Sequence, residues 1–330
     1  MKRLKQLKCF LVGFVVLTSL SSTIWAQGDL YPNKPIKLVI TWPVGGFADT
    51  LGRALATQMS TLLGQQVVVE NRGGANGMIG ADVVAKSAPD GYTLMFQSVT
   101  SHAINPSMYE KTPYSTEKDI VPIAIVGSVP MLLVANTNFP AKNINALIAM
   151  AKRDPDGIAY ASFGNGSASH LAGALFTNQA GIKMTHVPYK GGAPAITDAI
   201  GGQIPLSFSA FGLALPHVKA GKLVALGTTG SSRAKLLPDV PTIAEAGNLK
   251  DYEMSIVYAV WAPTGVPAPI LNKLSKTIEQ VISSNTFKEK LAADGGEVMN
   301  LTTTAESQIY FQKEMRRLSK IVKDGNIKAD

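Results

Sequence analysis

Short apolar runs rich in β-branched residues alternate with segments of helical periodicity along most of this 330-residue chain. The first run starts at Ile36 and ends in a proline and paired glycines, after which Leu51, Leu55 and Met59 recur at helical intervals. Repeated strand–helix units are typical of α/β proteins, because each helix carries the chain back across the sheet. The sequence therefore predicts an α/β fold with mostly parallel sheets. Further strands are predicted at 65–71, 92–97, 122–126, 130–135, 158–162, 204–209 and 223–229, and helices at 78–87, 144–153, 167–179, 193–201, 270–284 and 305–323.

Two extended segments stand where they can connect one domain to another. Residues 122–135 contain two apolar runs, and residues 252–261 form a long, largely apolar stretch without helix caps. A chain of this length, with 46% hydrophobic residues, is long enough for two domains. We predict a discontinuous first domain made of residues 27–127 and 255–330, and a second domain made of residues 128–254.

Two glycine-rich turns each connect a predicted strand to a predicted helix. The first contains Gly45 and Gly46, and the second contains Gly164 and Gly166. Glycine lets the main chain approach a ligand closely, and the first N–H groups of the following helix have no partner within that helix. Such a helix start attracts anions. We interpret the two turns as two sides of one anion-binding site.

Motifs for catalysis are weak in this sequence. Residues 70–80 are glycine-rich and follow a predicted strand, but they lack the G-x-G-x-x-G spacing of a dinucleotide site. The histidines show no metal-ligand spacing. Ser167 and His170 leave open a hydrolase or transferase that uses Ser167, although a serine at a helix start is more often an N-cap. We expect a binding protein rather than an enzyme, with no metal and no cofactor.

The first 26 residues have the features of a cleavable export signal. Basic residues precede an apolar run of about a dozen residues, which is shorter than the roughly twenty that span a bilayer. Cleavage is predicted after Ala26 and removes the only cysteine, Cys9. The balance of 31 basic and 23 acidic residues (+8) then becomes 27 and 23 (+4), with the basic residues scattered. Nucleic-acid binding is therefore not expected.

Several short motifs together resemble the Bug family of periplasmic solute-binding proteins. They are Tyr-Pro-Asn-Lys-Pro-Ile at 31–36, Gly-Gln-Gln-Val-Val-Val-Glu-Asn-Arg at 64–72, Pro-Asp-Gly-Tyr-Thr-Leu at 89–94, His-Val-Pro-Tyr-Lys-Gly at 186–191 and Leu-Pro-Asp-Val-Pro-Thr at 237–242. The resemblance implies a periplasmic protein with a two-domain flytrap fold that closes on a small carboxylate. It also implies delivery to the permease subunits of a tripartite tricarboxylate transporter. We expect a monomer, and a ligand sensor for a signalling receptor is a further alternative.

The resemblance also assigns residues to the carboxylate site. The positions carried over are Gly46, Phe47, Ala48, Asp49, Ser162, Gly164, Gly166, Ser167, Ser169 and His170. Trp42, Phe163 and Phe211 are expected to add apolar surface. Replacement of Gly166 by valine is expected to block binding and to leave the fold intact.

The expected ligand carries one or two carboxylates on an aromatic or otherwise apolar body. Family members often have an aspartate near position 208, where this chain has Ser207, Phe208 and Ser209. The difference argues against a small amino acid, because its amino group would lack a carboxylate partner.

Overall fold

The computed structural model describes residues 31–155, 157–325 and 327. The predicted signal peptide, residues 1–26, lies outside the described residues. Within the described ranges, no helix has both the length and the apolar character needed to cross a bilayer.

The described part of the chain forms a nine-stranded sheet in the order β2-β1-β3-β9-β4-β7-β5-β6, with β8 also paired to β4. The strands are β1 (Ile36–Ile40), β2 (Val67–Asn71), β3 (Thr93–Ser98), β4 (Ile120–Asn136), β5 (Ala159–Ser162), β6 (Thr185–Pro188), β7 (Leu206–Ala210), β8 (Leu223–Thr228) and β9 (Ser255–Pro263). Strand β1 is parallel to β2 and β3, and β5 is parallel to β6 and β7. The pairs that involve β4 and β9 are antiparallel. The α/β fold is therefore confirmed, and its sheet is mixed rather than mostly parallel.

Strand β4 is a single 17-residue strand, although the sequence predicts two strands at 122–126 and 130–135. The two prolines of this strand are tolerated because Pro122 lies at a register shift and Pro130 forms the last pair with β9. From Met131 onward, β4 pairs with β7 and β8 instead. We call β1, β2, β3, β9 and residues 120–130 the first sheet half, and β5–β8 with residues 131–136 the second sheet half. The predicted domain boundaries fall near this change of partners and stay a prediction.

Helices cover both faces of the sheet. In the described residues they are α1 (Phe47–Leu63), α2 (Met78–Ala85), α3 (Val99–Met108), α4 (Ile144–Arg153), α5 (Ala168–Ala180), α6 (Gly192–Gly201), α7 (Phe211–Lys219), α8 (Ile243–Gly247), α9 (Ala268–Ser283), α10 (Asn285–Ala293) and α11 (Thr304–Asp324). Helices α3, α7, α8 and α10 were not predicted. Helix α3 buries nearly all its side chains and contains Pro106, and α7 contains Pro216, so neither shows a clean polar face in the sequence.

Two apolar cores lie on opposite faces of the sheet. Along β4, Ile125 and Leu133 enter one core, and Val126 and Leu132 enter the other. This alternation follows from the two-residue period of a strand. Because β4 belongs to both sheet halves, both cores extend across the change of strand partners.

His102 is fully buried in an aromatic cluster within one of these cores. Its ring centroid lies 4.6 Å from that of Trp261, 5.5 Å from that of Phe311 and 5.7 Å from that of Tyr114. Burial lowers the pKa of His102 to about 3, although a hydrogen bond with the Thr116 backbone acts in the opposite direction. The folded protein therefore holds this histidine neutral.

We predict that acid destabilises the protein partly through His102. Between pH 6.5 and pH 3, His102 binds a proton in the unfolded chain but not in the folded chain. The free energy of unfolding therefore falls as the pH is lowered. One such histidine lowers the free energy of unfolding by roughly 2 kcal/mol between pH 6.5 and pH 5. Urea denaturation at pH 7 and pH 5 measures it, and His102→Gln should reduce the difference by that amount. An unchanged difference in the variant would contradict the assignment.

Candidate functional site

A cavity of about 600 Å³ lies between the two sheet halves. The first sheet half and its helices contribute the segment around the first glycine turn, together with Ser98, Ser101 and Tyr258. The second half contributes Phe163, Ser167 and the start of α6. Of the residues predicted for the site, those that line the cavity are Trp42, Gly46, Phe47, Ala48, Phe163 and Ser167.

Five helices of the described chain begin at this cavity. The residues immediately before α1, α3, α5, α6 and α7 all line it, and they are Gly46, Ser98, Ser167, Gly191 and Ala210. Each helix start carries N–H groups without a partner inside the helix and the positive end of a helix dipole. Their convergence makes the cavity a favourable place for a negative charge.

The five helix starts differ in how they are capped. Ser98 accepts a hydrogen bond from the Ser101 N–H at 3.2 Å, and Ser167 accepts one from the His170 N–H at 3.3 Å. No side chain among the described residues caps α1, α6 or α7. The starts of α1 and α6 therefore offer backbone donors to a ligand without competition from a capping side chain, whereas the Asp294 carboxylate lies against the first turn of α7.

Asp49 fixes the first glycine turn from behind rather than lining the cavity. Its carboxylate accepts hydrogen bonds from the Gly45 N–H at 3.0 Å, from Arg53 Nε at 2.9 Å and from Asn71 Nδ2 at 2.9 Å. Burial alone would raise its pKa, but the hydrogen bonds from Arg53, Gly45 and Asn71 outweigh burial and lower the pKa below its usual value. Asp49 therefore stays ionised and orients the turn.

Ser162 and His170 support the second glycine turn and also lie outside the cavity lining. The His170 ring stacks on His186 at 3.6 Å between centroids and accepts the Gly166 N–H at 3.3 Å. The Ser162 hydroxyl is 2.6 Å from His186 Nε2. Burial, together with the charge of His186, lowers the pKa of His170 to about 3. A neutral ring keeps Nδ1 free to accept the Gly166 bond.

Ser169, Ser167 and the two glycines determine the backbone conformation of this turn. The Ser169 hydroxyl accepts the Phe163 N–H at 2.8 Å, and the Gly164 carbonyl accepts the Ser167 hydroxyl at 2.7 Å. Gly164 and Gly166 both have positive φ values, 127° and 69°. Neither glycine lines the cavity, so both serve the shape of the turn in this structure.

Ser167 has the hydrogen-bond pattern of a helix cap. Its hydroxyl donates to a carbonyl within the turn and accepts the His170 backbone N–H rather than pairing with the His170 ring. A nucleophilic serine needs a base that takes its proton. The arrangement does not favour the hydrolase or transferase alternative.

The aromatic lining differs in part from the prediction. Phe211 is fully buried and does not reach the cavity. Tyr258, which was not predicted for the site, lines the cavity. Its ring lies between those of Phe47 and Phe96, at centroid distances of 5.7 and 5.5 Å. No motif marked Tyr258, because it is one apolar residue within a buried strand.

The sequence analysis also missed two charged residues of the cavity lining, Lys190 and Asp294, and the glycine turn that follows Lys190. Lys190 and Gly191 come directly before α6. The pair Gly191–Gly192 could have indicated a third glycine turn, because it precedes a predicted helix. Asp294, which follows α10, also lines the cavity. Its contribution could not be found from the sequence because α10 itself was not predicted.

Solved structures with the same fold include a periplasmic binding protein and two proteins that hold small carboxylates. The periplasmic binding protein BugD matches with a TM-score of 0.79 and 33% identity, over 91% of this chain and 100% of that one. Rpa4515 from R. palustris with adipate matches with a TM-score of 0.82 and 32% identity, over 90% and 99% of the two chains. MatC from Rhodopseudomonas palustris with bound malate matches with a TM-score of 0.79 and 29% identity, over 88% and 100%. The chain thus has the fold of a periplasmic solute-binding protein.

A sequence match shows the family to which the chain belongs. Residues 51–327 match the family described as "Tripartite tricarboxylate transporter family receptor". The chain belongs to this family, and the resemblance to Bug proteins is confirmed.

The structure argues against the expectation that Gly166→Val leaves the fold intact. A Cβ at Gly166 would lie 2.4 Å from Met108 Sδ, and the residue has a φ of 69° that favours glycine. We predict that this variant lowers the free energy of unfolding by about 2–4 kcal/mol, from backbone strain and overpacking together.

Gly181→Val is the matched control for that prediction. Gly181 has a similar φ of 60°, but a Cβ there meets nothing within 4 Å. Urea denaturation should therefore show a smaller loss for Gly181→Val than for Gly166→Val. Equal losses would mean that Met108 does not restrict the second turn.

Proposed function

We propose that this protein captures a small carboxylate in the cavity between the two sheet halves and delivers it to a membrane permease. The main support for this proposal is that five helices begin at one cavity, three of them without a capping side chain. Helix ends contribute about 0.3–1 kcal/mol each to anion binding, and charge-assisted hydrogen bonds about 1.5–3 kcal/mol each. A few such contacts supply the roughly 8 kcal/mol of micromolar affinity.

The cavity walls favour an apolar body behind the carboxylate. Trp42, Phe163, Leu213 and Ile256 line the cavity together with Tyr258. A volume of about 600 Å³ holds a small organic acid comfortably. The adipate of Rpa4515 and the malate of MatC support a carboxylate as the ligand class.

Binding is coupled to domain closure in this proposal. The two domains are residues 27–127 with 255–330, and residues 128–254, and the chain passes between them within β4 and just before β9. A ligand that contacts Gly46 on one side and Ser167 on the other stabilises the closed state by its greater affinity for that state. The closed monomer then docks on permease subunits of a tripartite tricarboxylate transporter, in the periplasm, which it reaches through the signal peptide 1–26.

We predict that Gly46→Asp abolishes most carboxylate binding without harming the fold. Gly46 has a φ of −79°, and a Cβ there meets only the Pro43 carbonyl at 3.8 Å. Aspartate is a good N-cap, so α1 should gain a few tenths of a kcal/mol, while the new charge repels the ligand. Calorimetric titration with whichever of adipate, malate and 6-aminohexanoate the wild type binds should show affinity reduced about tenfold or more.

Gly46→Asn is the control, because it has the same shape and capping ability without the charge. It should weaken binding less than Gly46→Asp. Native mass spectrometry of the freshly purified wild-type chain should, in parallel, detect a bound organic acid. Wild-type affinity in Gly46→Asp would place the carboxylate away from α1 and overturn the proposed site.

A further inference from the structure

Asp294 is an acidic residue on the wall of a cavity that is otherwise suited to anions. It follows α10, is half-buried, and lines the cavity. Among the described residues, its carboxylate has no hydrogen-bond or ion-pair partner. A half-buried carboxylate without a partner gains from any donor that a ligand brings to it.

The Asp294 carboxylate rests on the first turn of α7. A Cβ built on Gly212, the second residue of α7, would lie only 1.5 Å from Asp294 Oδ1, so the carboxylate lies directly against the Gly212 backbone. The residue before α7 is Ala210, which has no capping side chain. Asp294 therefore places a negative charge at one of the helix starts that would otherwise attract the charge of a ligand.

The residues after Asp294 hold it in this position. A Cβ at Gly295 would lie 2.7 Å from the Phe211 ring, and a Cβ at Gly296 would lie 2.7 Å from the Ser128 carbonyl oxygen. Ser128 and Glu297 exchange two backbone hydrogen bonds of 2.9 Å. The loop is thus fixed both to β4 and to α7, and the position of the carboxylate is part of the fold.

We propose that Asp294 determines specificity: it excludes a second ligand carboxylate from the α7 side of the cavity and selects an acid whose other end is a hydrogen-bond donor. An ammonium, an amide or a hydroxyl group would fit. This inference rests on the proposed function, since it assumes that a first carboxylate binds at the glycine turns.

The electrostatics of the cavity support this selection. Two carboxylates a few ångströms apart repel strongly where water is largely excluded, whereas a donor forms a charge-assisted hydrogen bond. Burial raises the pKa of Asp294, although the charge of Lys290 on α10 acts in the opposite direction. Lys190, the other charged residue of the lining, is exposed, so water screens its attraction for a second carboxylate.

Asp294 also changes the expectation drawn from residues 207–209. The absence of an aspartate in β7 argued that a ligand amino group would lack a carboxylate partner. Asp294 provides a carboxylate from a different element, which reaches the cavity across the start of α7. An amino group on the ligand is therefore compatible with this site.

Three acids of equal chain length test the inference: adipate, 6-hydroxyhexanoate and 6-aminohexanoate. Calorimetric titration of the full chain should show that the amino acid and the hydroxy acid bind more tightly than adipate, the amino acid by about tenfold or more. Asp294→Asn keeps the shape of the side chain and removes the charge. In this variant the preference for 6-aminohexanoate over adipate should fall by about tenfold or more.

Glu289→Gln is the matched control, because it removes one negative charge from the exposed surface of α10. It should leave the ratio of the affinities as in the wild type. If Asp294→Asn weakens all three acids equally, Asp294 is only structural and the inference fails. The inference also fails if wild type prefers adipate. If neither the wild type nor Asp294→Asn binds any of the three acids, the proposed function itself is contradicted.

Discussion

The backbone N–H groups at the starts of five helices are the feature on which the candidate site depends. Strands on both sides of the crossing strand β4 end near one cavity, and the helices that follow begin there. A cavity built in this way is electrostatically prepared for an anion, although Lys190 is the only basic side chain among its described lining residues. Backbone donors are fixed by the fold, so little ordering is needed when a ligand binds.

Most of the polar residues near the glycine turns serve to hold those donors in place. Asp49 binds the first turn through the Gly45 N–H, and the stacked rings of His170 and His186 support the second. Such supporting contacts give a structural role to the chemically suggestive side chains at the site, Ser167 included. Met108 packs against Gly166 in the second turn, so residues outside the cavity lining also contact this turn.

The sequence predicted the parts of the fold that carry a clear period. Helix α4 was predicted with its observed bounds, and α1 buries Leu51, Leu55 and Met59 as expected. Helix α3 was missed because burial of nearly all its side chains removes the polar face, and both α3 and α7 contain a proline. The same omission hid the cavity residues Ser98 and Ala210. Tyr258 and Asp294 could not be found either, because their approach to the glycine turns depends on tertiary packing.

A crystal structure of the full chain with its bound organic acid tests the central claim most directly. We expect one ligand carboxylate within hydrogen-bond distance of backbone N–H groups at the starts of α1 and at least one helix of the second sheet half, with the rest of the ligand against Trp42 and Tyr258. A carboxylate held by Lys190 alone, or bound outside the cavity, would contradict the claim that helix starts form the binding site.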